Sequence, residues 1–265
     1  MRHALVALMT AAALQIGGAG PAAALDAPRH QLVDPFGTGM WDQHQIDLLG
    51  DPADIQFDAA VIVRAPASAE DSFNVPVDID ATAIADVDRI VVLVDYGPVP
   101  KILTFWPGEA EARLSLRFKI DQSTPVRAAV RTKSGAWHVG GTLIEAAGGG
   151  CTAPAFAYGA DDWEERLGEV RGRIWPETGR VRLIVEHPMD TGLADGIPLF
   201  IIEKLKLSAL DGRELARLEL YEPVNENPAF TLRFPPGAAD TAMLLSGRDN
   251  NGNTIRATLR AALTE

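Results

Sequence analysis

Apolar and polar residues alternate with a period of two along most of the chain, the pattern of strands that bury one face. The clearest case is Leu114-Ser-Leu-Arg-Phe-Lys-Ile120, where every second residue is apolar. Short runs rich in β-branched or aromatic residues accompany it: Phe57 to Val63, Asn74 to Val77, Arg89 to Val94, Lys101 to Phe105, Val126 to Val130 and Trp137 to Ile144. One stretch of this half, from about Gly37 to Leu49, has helical spacing instead; it carries Trp41, His44, Leu48 and Leu49 and is stopped by Gly50 and Pro52. The second half repeats the strand pattern over Gly168 to Trp175, Val181 to Glu186, Leu199 to Leu207, Arg213 to Tyr221, Ala229 to Phe234, Met243 to Ser246 and Thr254 to Leu263. Turn signals such as Tyr96-Gly97-Pro98, Ser134-Gly135, Asp211-Gly212 and Asn251-Gly252 separate the runs. Two successive sets of about seven strands predict an all-β protein of two immunoglobulin-like β-sandwich domains in tandem, with a short N-terminal helix.

Between the halves lies Glu145-Ala-Ala-Gly-Gly-Gly-Cys-Thr-Ala-Pro154, a small-residue tract with three consecutive glycines that predicts a linker. An acidic cluster, Asp161, Asp162, Glu164 and Glu165, follows it. The first residues are of another kind. Arg2 and His3 precede the apolar run Ala4 to Ile16, and Ala22-Ala23-Ala24 follows, which reads as a secretory signal peptide cleaved after about Ala24. The expected layout is therefore a leader at 1–24, a sandwich at 25–147, a glycine-rich linker at 148–166 and a second sandwich at 167–265. An exported, periplasmic protein is expected, without a membrane span, because the apolar run is too short to cross a bilayer and no later one is longer.

Composition and charge narrow the chemistry. The 265 residues include 24 Lys+Arg against 36 Asp+Glu, a formal net charge of -12 that repels a phosphate backbone and makes nucleic-acid binding a poor hypothesis. A single cysteine, Cys151, rules out an internal disulfide and a cysteine-rich zinc site. No Gly-x-Ser-x-Gly elbow, phosphate-binding glycine loop or His-Glu-x-x-His motif occurs. His44 reads as packing or surface, and His138 as a strand residue. His187-Pro188-Met189 offers one imidazole and one thioether, a soft pair for copper, but a strand-ending turn explains it better. Asp249-Asn-Asn-Gly-Asn253 lacks the spacing and the distal Glu of a calcium loop and reads as a hairpin turn. No metal site and no cofactor are expected.

Cys151 stands apart. A structural cysteine normally sits in an apolar element, whereas this one lies between Gly150 and Thr152 in the most glycine-rich tract of the chain. A catalytic thiol needs a base or a positive field to lower its pKa from about 8.5. No Lys, Arg or His lies between His138 and Arg166. The residues therefore favour a thiol that is inert alone and reacts inside a partner's site, on a covalent carrier arm made flexible by Gly148, Gly149 and Gly150. A non-covalent accessory module with an incidental cysteine, and a copper or redox accessory using Cys151, His187 and Met189, are the competing readings.

At Gly148-Gly-Gly-Cys-Thr152, after seven expected strands, the chain resembles SoxY, a family that presents a carrier cysteine on a glycine arm following a β-sandwich. Ala69-Glu-Asp71, Val75-Pro-Val77 and Ser123-Thr-Pro-Val-Arg-Ala128 add to that likeness. The second half resembles SoxZ at His187-Pro-Met-Asp-Thr-Gly192, Asn225-Glu-Asn-Pro-Ala-Phe230 and Asp249-Asn-Asn-Gly-Asn-Thr254. Together the segments are similar to the fused quinoprotein dehydrogenase-associated SoxYZ-like carriers. The resemblance implies a periplasmic carrier without catalysis of its own, holding a sulfur-containing group on Cys151 for enzymes that load and unload it. A pyrroloquinoline-quinone (PQQ) dehydrogenase system is the partner it implies. A homodimer, through a Cys151 disulfide or a domain swap, is compatible with it. One departure is physical: in SoxY the arm is a free C-terminus, whereas here Thr152, Ala153, Pro154 and a whole domain follow the cysteine, and Pro154 stiffens one limb.

Overall fold

The structure, a computed structural model, describes residues 33–159, 161–235 and 242–261; the expected leader at 1–24 lies outside them. Helix α1 (Trp41–Leu49) is followed in the first half by strands β1 (Ile55–Phe57), β2 (Ile62–Arg64), β3 (Ser68–Ala69), β4 (Val75–Asp80), β5 (Val87–Val94), β6 (Lys101–Trp106), β7 (Arg113–Phe118), β8 (Thr124–Thr132) and β9 (Trp137–Ala146). A 3-10 turn at Phe156–Gly159 and helix α2 (Trp163–Arg166) lead into the second half. That half comprises β10 (Val170–Trp175), β11 (Arg180–Val185), β12 (Asp190–Thr191), β13 (Leu199–Phe200), β14 (Ile202–Ser208), β15 (Glu214–Leu220), β16 (Ala229–Arg233), β17 (Ala242–Asp249) and β18 (Thr254–Arg260). The all-β class and the short N-terminal helix are those the residue pattern predicts. No helix among the described residues is long and apolar enough to cross a membrane.

The two immunoglobulin-like sandwiches expected in tandem are present as two groups of strands joined edge to edge. Their sheets run into one another. One sheet has the order β1-β9-β8-β5-β6-β15-β14-β17-β18, with β3 also on β9, and the facing sheet has the order β10-β11-β16-β7-β4-β2. The halves meet through antiparallel pairs in both layers: β6 with β15 (Leu103↔Leu220 to Trp106↔Arg217) and β7 with β16 (Leu114↔Leu232, Ser115↔Thr231). A single apolar core follows, in which Val92, Phe105 and Phe118 of the first half belong to the same cluster as Leu183, Leu205 and Phe230 of the second. Each seam strand would otherwise present an open edge of unpaired amides.

One predicted strand is split. Phe57 to Val63 reads as a single run, but Asp58 turns the chain, its carboxylate accepting from Ala60 N–H (2.8 Å) while Val61 N–H donates to Asp58 carbonyl (3.0 Å). This local competition for backbone groups is typical of aspartate. It sends β1 into the larger sheet, parallel to β9, and β2 into the smaller one against β4.

Strands β5 and β8 are covered on both faces, which explains why Arg89 to Val94 reads as a continuous apolar run rather than an alternation. Ile90 and Val92 point into the main core, while Val91, Leu93 and Ala129 meet Trp41 and Leu49 of α1 on the outer side. Beneath that helix lies Arg127, with no exposed side-chain surface. Its Nε and Nη2 donate to the two oxygens of the equally buried Asp95 (2.6 Å each), and Nη2 also reaches Asp34 (2.9 Å). The rings of Phe36, Trp41 and Phe57 lie 4.7, 4.8 and 5.7 Å from its guanidinium carbon. A desolvated cation held by a bidentate carboxylate and three aromatic rings thus pins the N-terminal segment to the sheet.

Replacing Arg127 by Met would keep contact with the rings but leave Asp95 buried and unpaired. The unfolding free energy should drop by about 3–5 kcal/mol. Urea denaturation measures it, and a loss below about 1 kcal/mol would remove this pair as the anchor of α1. At Asp34 burial raises the carboxyl, but Arg127 and the N–H groups of Phe36 and Thr38 outweigh it and hold the group below the ordinary carboxylate range. A depressed folded-state value adds stability above the unfolded value of about 3.9 and surrenders it as pH falls further. Asp34→Asn should therefore flatten the acid limb of the stability–pH curve; an unchanged limb would contradict the assignment.

Candidate functional site

The crossover from the first half to the second runs past the end of β9, and there the chain places Cys151. The residue is 4% exposed. Ser123 clasps the end of β9, its hydroxyl accepting from Ala146 N–H (3.0 Å). The glycine tract then lies along the exit of β7, with Gly149 N–H donating to Asp121 carbonyl (3.3 Å) and Gly150 N–H to Ile120 carbonyl (3.1 Å). Cys151 Sγ sits 3.7 Å from Lys119 carbonyl, and the Cys151 carbonyl accepts from Thr191 Oγ1 (2.6 Å). Beyond it, Ala155 N–H donates to Asp190 (2.9 Å) and Phe156 N–H to Glu226 (2.7 Å).

Sequence reading expects these glycines to confer reach. Their packing shows a second requirement. A Cβ on Gly150 would lie 2.1 Å from Ser72 carbonyl and 2.7 Å from Ile120 carbonyl, and Gly148, at φ +97°, would bring one 2.3 Å from Asp121 carbonyl. Only glycine lets the tract lie this close to its neighbours.

The surroundings keep the thiol protonated. Burial, with Asp121 adding to it and Lys119 opposing it, pushes Cys151 up to about 11. Lys119 is itself buried, and desolvation lowers its pKa against the pull of Asp190, Cys151 and Glu226. Its Nζ donates a hydrogen bond to Met189 carbonyl. Lys119 also lines a cavity of about 200 Å³ together with Asn74, Pro154, Phe156, Asn225 and Glu226. Asn225 Oδ1, buried at this cavity, has no hydrogen-bond partner, and Phe156 at its rim is 71% exposed. The arrangement comprises a shielded thiol, a buried ammonium and a small cavity at the boundary of the halves.

The other candidates from the sequence fall elsewhere or serve the framework. His44 is buried under the sheet edge with Nε2 3.1 Å from Asp95 carbonyl, and His138 pairs with Asp58 (2.8 Å). His187 Nδ1 accepts from Met189 N–H (3.0 Å), and Met189 Sδ accepts from Ile202 N–H (3.2 Å). His187 Nδ1 and Met189 Sδ are thus engaged by backbone, while His187 Nε2 is buried facing Asp249. Burial lowers His187, although Asp249 lies 3.6 Å away. Among the described residues no group of three or more His, Cys, Asp or Glu side chains is placed to hold a metal ion. Asp249-Asn-Asn-Gly-Asn253 forms the β17–β18 turn, with Asp249 accepting from Asn251 N–H, Asn253 N–H and Asn253 Nδ2.

Sequence reasoning missed Lys119, Thr191 and Asn225. Lys119 continues the outward positions Ser115 and Arg117, which predicts exposure, but loops of the second half cover it. A hint was present, since His187 to Gly192 and Asn225 to Phe230, the segments singled out above, supply those loops.

Comparison with known families matches residues 45–151 to "Sulfur oxidation protein SoxY" and residues 176–260 to "Sulphur oxidation protein SoxZ". Comparison with curated proteins gives no match. Among solved structures, the sulfur carrier protein SoxY from Chlorobium limicola f thiosulfatophilum is similar at 20% identity; the alignment covers 41% of this chain and 96% of that one, with a TM-score of 0.36. Cys151 is the last residue of the first match, and Thr191, which bonds its carbonyl, Met189, which takes Lys119, and Asn225, at the neighbouring cavity, all lie within the second. The chain thus carries a region matching the SoxY family and, after it, a region matching the SoxZ family, fused in one polypeptide.

Proposed function

We propose that this protein is a periplasmic carrier without catalysis of its own, which holds a sulfur-containing group covalently on Cys151 and presents it to partner enzymes. The observation that carries the reading is the placement of the lone thiol, at the end of the SoxY domain, on a glycine tract fastened by a handful of hydrogen bonds. Each such bond is worth about 0.5–1.5 kcal/mol net, so release of the tract is thermally accessible. Docked, the thiol is a poor nucleophile, since ionising it there costs about 3 kcal/mol more than in water. Released, it regains an ordinary pKa.

Loading then needs no net oxidation. The Cys151 thiolate, its proton lost to water, attacks the outer sulfur of a partner's persulfide-type adduct. The new bond joins Sγ to the cargo sulfur, and the partner's thiolate leaves with the electron pair of the old one. Re-docking shields the adduct, and the cavity beside Lys119 offers an anionic group a cation and the free acceptor Asn225 Oδ1 a donor-bearing one. Because Ala155 is tied to Asp190, the cysteine rises as a loop whose reach is about 14 Å from that anchor. A partner with an open cleft suits such a loop better than one with a narrow channel. We take a PQQ dehydrogenase system as the partner to test first.

Intact mass of protein isolated from the periplasm without reductant tests the carrier directly. A sulfur adduct should be present and should vanish in Cys151→Ser. An unmodified thiol, with full cellular activity of the Ser variant, would make the cysteine incidental and leave a non-covalent accessory module.

The docked state has its own signature. At pH 7, iodoacetamide should alkylate Cys151 about 100-fold more slowly than a peptide of residues 145–155, the ratio set by the raised pKa. Docking is at full strength below the free thiol's value of about 8.5 and weakens as pH rises towards about 11, so the two rates should converge there. Gly150→Ala should abolish most of the protection at pH 7 without loss of the folded state. Protection that survives this substitution would refute the docking geometry.

A further inference from the structure

The outer face of the smaller sheet is basic in an acidic protein. Its outward positions, read from the pairing of β2, β4, β7, β16, β11 and β10, hold eight of the chain's 24 Lys+Arg and two aspartates. Four of these arginines are engaged. Arg64 and Arg113 share Asp78 and Asp80, Arg171 pairs with Glu186, and Arg117 donates to Asn74 carbonyl (3.2 Å).

The other four are not. Among the described residues no carboxylate or hydrogen-bond acceptor meets the guanidinium of Arg173, Arg180, Arg182 or Arg233. They stand in two directly opposed cross-strand pairs, Arg173↔Arg182 and Arg180↔Arg233. Like charges at directly opposed positions destabilise a sheet. The Trp175 ring lies between two of them, 5.1 Å from Arg173 and 4.5 Å from Arg180, and cation–π contact restricts their guanidinium groups without neutralising them. Beside them a groove of about 380 Å³ crosses from β4 to β11 over the seam, lined in part by Arg64, Arg117, Arg182, Pro76 and Thr231.

We infer that this face docks a carboxylate-rich protein surface. Arginine forks match carboxylates two bonds at a time, and a partner supplying them would neutralise the opposed pairs. The patch is bounded, about 24 Å across six strands. A compact acidic surface fits that extent, whereas an extended nucleic acid would run beyond it onto a protein whose overall charge is -12. The face is distinct from the Cys151 cavity, so an enzyme could be held here while the loop is presented elsewhere.

The test uses the full chain and a polyglutamate peptide as probe, with affinity read by anisotropy of a labelled peptide over a salt series. Binding should be salt-dependent, and Arg173→Glu with Arg182→Glu should weaken it by at least about tenfold. Lys206→Glu with Arg256→Glu, on the outer face of the other sheet, changes net charge equally and should leave binding within about twofold. No binding at low salt, or equal loss in both double variants, would overturn the proposal. So would preferential binding of duplex DNA or phosphatidylglycerol vesicles over polyglutamate through the same arginines, or sedimentation showing a dimer that Arg173→Glu with Arg182→Glu dissociates.

Discussion

Both sheets cross from the SoxY domain to the SoxZ domain, and the rest of the molecule depends on that double seam. A backbone ladder is the least forgiving way to join two domains: a slip of one residue would turn every side chain of the joining strand to the other face. Here Leu103 and Phe105 on β6 face Leu220 and Leu218 on β15, and Leu114 on β7 faces Leu232 on β16, so the register is fixed by apolar residues buried on both sides. The core then cannot be divided between halves. Arg127, although two strands away from β6 in the sheet, belongs to the same construction, because β8 supports β5, β5 supports β6, and β6 carries the pairing with β15.

The seam also decides what happens to the thiol. With the halves locked, the exit of β7 in one domain and the loops at Met189 to Thr191 and at Asn225 in the other are held at fixed separation. The glycine tract fills the space between them. Lys119 carbonyl comes from the SoxY side and Thr191 Oγ1 from the SoxZ side, so the docked cysteine is a product of both domains. The positive field that Lys119 brings is spent on Met189 carbonyl and on neighbouring acids, and burial prevails at Cys151. A shielded, protonated thiol suits the carrier proposed above, which holds a group rather than reacting unaided.

Much of this was legible in the residues. Alternation in Leu114 to Phe118 located β7 and its faces, the β-branched run at Arg89 to Val94 marked β5, and the isolated cysteine after three glycines marked the site. What escaped was set by contacts distant in sequence. Nothing near Lys119 says that it is buried; the covering loop lies about seventy residues away, and the local period argues for exposure. The break at Asp58 was hidden because Phe57 to Val63 is apolar enough for one strand, and only the side-chain hydrogen bond to Ala60 N–H decides against it. The merged sheets were also out of reach, since edge pairing between domains leaves no periodic trace in either strand. The glycines were read for flexibility, but the close approach of Ser72, Ile120 and Asp121 shows that stillness requires them equally.

Fusion changes the energetics of such a pair. Separate subunits would have to meet at their free concentration, whereas a tether of modest length keeps the partners at an effective concentration of roughly millimolar. With that contribution supplied by the chain, the seam need only be specific, and its short β7–β16 contact of two residue pairs suffices beside the longer β6–β15 ladder. The same tether costs the cysteine its free end. A loop held at Ala146 and at Ala155 cannot thread a narrow tunnel, so in the proposed carrier selectivity comes from surfaces that bring a partner's cleft to within the loop's short reach. A rigid pair of sheets with a bounded, unneutralised arginine face fulfils that condition in a way that a flexible two-domain chain would not.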